Sequence, residues 1–182
     1  MRTFTLMTAL VASLAMVTEA ADAQEVGRGL RQLHKHRGFW LSFGAGGGWE
    51  DADFTFGNEG RGGAAYLRMG GTVSPRVLFG GEALVWFNDQ HGGPEVARAN
   101  VTGAALVYPS LKGGWFLKGG FGVAQYDIAG FERTGVGPTF GTGFDFRLGG
   151  NFYVTPNVDY MVQFFDDATV GSLLFTVGVT WH

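Results

Sequence analysis

The chain has no cysteine. An exported fold without disulfides must hold itself by other means, and a membrane anchor attached through an N-terminal cysteine is excluded. Beyond residue 23 there is no run of about 18 apolar residues, so no transmembrane helix is expected in the mature chain. Charge is scarce as well. Asp, Glu, Lys and Arg make up 16% of the chain and the formal net charge is −3. That balance offers no basic footprint for a nucleic acid.

What is present is glycine, 32 residues of 182, together with 15% aromatics. Glycine at this density argues against helices. It is not the glycine of a flexible linker either, because it alternates with Phe, Val, Leu and Trp.

Residues 1–23 read as a secretory signal peptide: Arg2 supplies the positive start, Leu6 to Val17 the apolar stretch, and Ala21-Asp22-Ala23 the small-residue cleavage site. Residues 24–37, "QEVGRGLRQLHKHR", read as a basic N-terminal arm. His34 and His36 form an H-x-H with no further ligands clustered nearby, so a solvated tail is preferred to a metal site.

From Gly38 the chain breaks into alternating segments: 39–50, 65–73, 77–87, 100–108, 115–126, 136–148, 152–164 and 172–182. Each is close to the ~9–11 residues that a tilted strand needs to cross a bilayer. Connections after the second, fourth and sixth segments are tight; those after the others are longer and polar.

One face of these segments carries no charge and almost no polar residue: Phe39, Leu41 and Phe43 in the first, Val101 in the fourth, Phe121 in the fifth, Phe140 in the sixth, and the final stripe Leu173, Phe175, Val177, Val179, Trp181. The other face carries every charge found inside a segment: Glu50, Arg68, Glu82, Lys118, Asp145, Arg147 and Asp159. A soluble barrel would bury the bulky face, and eight strands leave too little interior for so many Phe, Trp, Leu and Val side chains. The inverse is expected: bulky residues toward lipid, small and polar residues filling a narrow lumen. A charge on the lipid face near the midplane costs about 2–4 kcal/mol, and closure of the barrel pairs every backbone group. Aromatics near the segment ends, Phe39, Trp40, Trp49, Trp86, Phe87, Tyr108, Trp115, Tyr126, Phe164 and Trp181, are expected to form interfacial girdles.

The expected fold is thus an all-β, eight-stranded antiparallel up-and-down transmembrane barrel over 38–182. Arg68, Glu82, Lys118, Asp145, Arg147 and Asp159 are expected to pair in its lumen, since a lone charge there is expensive.

The chain resembles the small eight-stranded outer-membrane β-barrel proteins of Gram-negative bacteria. The likeness rests on Ser74-Pro75-Arg76 between two alternating strands, on "GFDFRLGGNFYVTPNVDYMV" as a strand-turn-strand unit, and on the ending "FTVGVTWH". It implies a monomer in the outer membrane with both termini in the periplasm. It also implies that Phe175, Val177, Val179 and Trp181 form the C-terminal signal read by the outer-membrane barrel assembly machinery. His182 departs from the strict aromatic ending.

A structural or surface-interaction role without catalysis is expected, with no cofactor, metal or nucleic acid, and with membrane lipid and lipopolysaccharide as partners. A narrow gated pore is the second reading. The long connections are net acidic and the arm and short turns net basic; solvated loops are the preferred reading of that asymmetry, and calcium bridging to lipopolysaccharide is the functional one. For an enzyme the only rim candidates are His91 near Asp89, and Ser172. Gly38-Phe39-Trp40 matches the G-x-W that opens lipocalin-like barrels, so a soluble ligand carrier is a third alternative.

Overall fold

The computed structural model describes residues 37–52, 60–88, 96–111, 113–128, 131–166 and 168–182. The leader, nearly all of the arm, His34, His36, Asp89 and His91 lie outside these residues. The described strands are β1 (Phe39–Ala52), β2 (Arg61–Ser74), β3 (Val77–Asn88), β4 (Val96–Val107), β5 (Trp115–Ile128), β6 (Phe131–Phe144), β7 (Phe146–Gly149), β8 (Phe152–Phe164) and β9 (Thr169–Trp181).

All pairings are antiparallel: β1 to β6 form a run in which each pairs with the next, β8 pairs with β6, β7 and β9, and β1 pairs with β9 from Leu41↔Trp181 to Ala52↔Val170. That last ladder closes the sheet on itself and leaves no long edge. β7 is not a ninth stave. It continues β6 beyond Asp145, and both lie against β8 in one register, Gly143↔Asn157 and then Phe146↔Val154. The barrel therefore has eight staves. The break at Asp145 is held by its backbone N–H, which donates to the Gly114 carbonyl at 2.9 Å. Gly114 must be small there, because a Cβ would stand 2.2 Å from the Asp145 carbonyl oxygen.

Burial alternates through the middle of each stave as period-2 geometry demands, and lapses in β7, where all four residues are exposed. Phe39, Phe43, Phe79, Phe121, Phe140, Phe152 and Val177 point outward and are each more than half exposed. Leu78, Leu84, Ala124, Asn100, Thr139, Gln163 and Leu174 point inward with no measurable exposure. An apolar exterior around a charged interior is the inverse of a soluble ligand-carrying barrel, so the lipocalin-like alternative is set aside. Trp40 does turn inward, but the lumen around it holds side chains and not a ligand chamber.

Three sequence expectations need correction. Strands β2, β4 and β6 begin several residues earlier than the apolar stripe alone suggests, because the ladders continue past the greasy belt for as long as the partner strand offers backbone groups. Arg98, Glu132 and Arg133 consequently lie on strands and not in loops, as does Asp127 because β5 runs on to Ile128, and β5 and β6 are joined by a two-residue connection. The girdle also loses members: Trp40, Trp86 and Tyr108 are buried in the lumen, and Tyr126 stacks on Arg98.

Two outcomes follow. A closed barrel in detergent will migrate differently on cold and boiled SDS gels, and a single unshifted band would contradict closure. Phe121→Arg, at the middle of β5, will destabilise the protein by about 2–4 kcal/mol in urea titrations from lipid vesicles, whereas Phe121→Leu will cost well under half of that.

Candidate functional site in the barrel lumen

Inward positions from all eight staves fill the lumen in alternating layers. The short-turn end carries the connections around 75–76, 108–114 and 150–151; the long-loop end is opposite. Midway between them lies a closed charge quartet. Arg68 on β2 donates from Nε to Glu82 on β3 at 2.5 Å and from Nη2 to Asp159 on β8 at 2.6 Å. Lys118 on β5 reaches Asp159 at 2.7 Å and also pairs with Glu82. Arg68 Nη1 takes Asn157 Oδ1 at 3.0 Å, and Thr139 and Thr102 donate to the free oxygen of Glu82 at 3.0 and 3.4 Å. The Arg68 guanidinium also sits 4.1 Å over the Tyr66 ring. Two cations meet two carboxylates, all four essentially without solvent exposure. Such a set is tolerable in low dielectric only because charge and hydrogen-bonding capacity are satisfied together.

Apolar layers lie on both sides. Toward the long-loop end are Ala64, Tyr66, Leu84, Trp86, Met161 and Leu174. Toward the short-turn end are Trp40, Leu78, Leu106, Tyr108 and Phe116. The enclosed space beside this lower layer is about 10 Å³, room for one water at most.

A second polar cluster closes the short-turn end around Asp145. Tyr108 Oη donates to it at 2.8 Å and Thr155 Oγ1 at 2.6 Å, and His182 Nε2 stands 3.6 Å away. Hydroxyls then continue inward: Thr155 to Thr180 at 2.8 Å, Thr180 to Ser42 at 2.7 Å, Ser42 to Tyr66 at 3.1 Å. Asn157 joins Tyr66 at 3.1 Å and so links this chain to the quartet. His182 is pinned by its backbone N–H on the Asn151 carbonyl and by an edge-on contact with Tyr153.

A third cluster fills the long-loop end. Arg98 on β4 pairs with Glu50 on β1, with its guanidinium 4.4 Å over the Tyr126 ring and 6.0 Å from that of Trp86. Gln163 reaches across from β8 to Asn100 at 2.8 Å and to the Ala99 and Gln125 carbonyls at 3.2 Å.

Glycines supply the room. A Cβ on Gly141 would come within 2.1 Å of the Asp159 carboxylate, and one on Gly137 within 2.3 Å of the Asn100 amide.

Of the six residues expected to form one network, the structure brings together Arg68, Glu82, Lys118 and Asp159. Asp145 faces the lumen but belongs to the cluster at the short-turn end. Arg147 is not in the lumen: it is exposed at the turn, donating to the Gly150 carbonyl at 3.1 and 2.8 Å. The break at Asp145 and the positive φ of 54° at Gly150 carry this stretch beyond the filled interior. Phe175, Val177 and Val179 face outward as the stripe requires. Sequence reading missed the Arg98–Glu50 pair. Its signal was present: Arg98, Asn100, Thr102 and Ala104 continue the inward spacing of β4 backward past the segment's apparent start. Ser172 is a buried wall residue and not a rim nucleophile.

No protein-family model and no curated protein matches the chain. Among solved structures it is similar to surface protein A of Neisseria (TM-score 0.64, 14% identity, 79% of this chain and 96% of that one). It is also similar to the attachment invasion locus protein of Yersinia pestis (TM-score 0.51, 17% identity, 80% and 99%).

The quartet yields a direct test. Glu82→Gln leaves two buried cations on Asp159 alone and will cost about 3–5 kcal/mol of unfolding free energy. Adding Lys118→Met to that variant will recover most of the loss; strictly additive losses would contradict the coupling drawn here.

With closure, an apolar exterior and a filled interior in place, the chain has the fold of the small eight-stranded outer-membrane β-barrels.

Proposed function

We propose that the protein is a non-enzymatic outer-membrane barrel that does not conduct, with a structural or surface-interacting role. The observation that carries this reading is the layered lumen: apolar rings on both sides of a neutral, fully paired quartet leave no continuous aqueous path among the described residues. In a small barrel, side chains of this kind fill the interior. The lumen then contributes stability, and contacts with other molecules fall to the loops and the outer wall.

The same reading puts both termini in the periplasm, with the outward stripe Phe175, Val177, Val179 and Trp181 available to the assembly machinery during insertion. It takes membrane lipid and lipopolysaccharide as the surrounding partners. The two structural neighbours, one described as a surface protein and one as an attachment invasion locus protein, agree with a surface role. A gated pore is the second reading, and the observation favouring it is that among the described residues the charge between the two apolar rings is gathered in the quartet.

Planar-bilayer recording decides between the two. The wild-type protein will give no discrete steps, and Glu82→Gln none either, because the apolar rings remain. Regular steps from wild type that change with Glu82→Gln would overturn the filled-lumen reading in favour of the pore.

A further inference from the structure

Between the quartet and the short turns, one buried donor keeps its proton to itself. Trp40 on β1 is 1% exposed, and its indole N–H has no partner among the described residues. Few buried polar groups in native proteins are left in that state. The enclosed space of about 10 Å³ borders this same side chain, together with Ser42, Arg68, Asp145, Thr155 and Thr180. That is about the room one water takes, and a buried water needs about two to four polar partners.

The hydroxyls beside the space can be assigned by elimination. Asp145, as a carboxylate, accepts from Tyr108 and from Thr155. Thr155 has then spent its only hydroxyl proton, so Thr180 donates to Thr155. By the same step Ser42 donates to Thr180 and Tyr66 to Ser42, while Asn157 gives an amide proton to Tyr66. Every proton in the line runs toward Asp145. Each hydroxyl oxygen has two lone pairs, and in this line each has used one. What the line still offers is acceptors alone. Arg68, on the far side, has its three nitrogens engaged by Glu82, Asn157 and Asp159.

One donor set among spare acceptors selects the occupant. A cation would suit the oxygens but has no lone pair for the indole N–H. An anion would take the N–H but would face lone pairs and a carboxylate. Water can accept one proton and donate two. We infer that a single water molecule is bound in this space, accepting the Trp40 indole N–H and donating to free lone pairs along Ser42, Thr180, Thr155 and Asp145. The inference rests on the filled-lumen reading, which isolates the site from the long-loop end.

Trp86 supplies an internal control. Its indole N–H is likewise buried and without a partner among the described residues. It lies in the other apolar layer, packed against β2, where a Cβ on Gly62 would stand 2.8 Å from Nε1. No water is expected at that nitrogen.

The test uses the full barrel in detergent micelles with isotope-labelled tryptophan, the two indole signals being assigned with Trp40→Phe and Trp86→Phe. Magnetisation transfer from water will reach the Trp40 N–H with the sign of a long-lived bound molecule, and will not reach that of Trp86. A high-resolution crystal structure will place one density peak about 2.7–3.2 Å from Trp40 Nε1, within hydrogen-bonding reach of a hydroxyl oxygen of the line. An ordered indole with no such peak overturns the inference, and so does transfer relayed through a threonine hydroxyl, which gives the signal without the peak. Either result leaves the filled lumen standing. Water reaching both indoles would mean a continuous aqueous path, and the filled-lumen reading itself would fail.

Discussion

Everything in this structure depends on the hydrogen-bond ladder between β1 and β9. A sheet in hydrocarbon has no water to satisfy an open edge, so an unclosed version of these eight staves would leave a row of N–H and C=O groups, each costing several kcal/mol. The pairing from Leu41↔Trp181 to Ala52↔Val170 removes that cost in one step. It also dictates what the side chains must do. Once the cylinder is shut, every stave has a lipid side and a lumen side, and a residue's parity decides which it meets. The apolar stripe and the interior charges are two outcomes of that one closure.

The same parity explains why so much of the fold is legible in the sequence. Phe39, Leu41 and Phe43 alternating with Trp40, Ser42 and Gly44 is a local signal, and eight such segments with all charges on one face can only be arranged in a few ways. Four of the six proposed lumen residues meet because parity and depth along the stave are both nearly readable by counting. Counting fails where the strand is interrupted. Arg147 has the parity of a lumen residue, but the chain breaks at Asp145 and turns at Gly150, and its guanidinium emerges at the rim. It fails also where ladders outrun the greasy belt, as at Arg98, since hydropathy marks the membrane and not the end of hydrogen bonding. Trp40, Trp86 and Tyr108 illustrate a third limit: an aromatic near a strand end looks the same whether it belongs to an interfacial girdle or caps an interior layer.

The interior and the outer wall are built to different tolerances. Inside, a polar network linked by Ser42, Tyr66, Thr155 and Thr180 is fitted around glycines whose missing Cβ atoms are occupied by neighbouring groups. Outside, a residue needs only to be apolar. Rigidity in this protein is therefore a property of the lumen.

That contrast bears on how such a chain can change over time. At Gly44 a Cβ would stand 2.6 Å from both the Gly178 backbone and the Tyr66 ring, and at Gly178 one would stand 2.2 Å from the Tyr66 hydroxyl. These positions have a single admissible residue while Tyr66 remains. The outward positions, where Leu, Val, Ile and Phe serve equally against lipid, impose almost no such restriction. Sequence drift is thus channelled onto one side of every stave, and interior solutions change only as coordinated sets. Two lineages that begin from one barrel can exchange nearly all of their outer wall and later re-plumb the interior, so the architecture outlives the residues that first specified it.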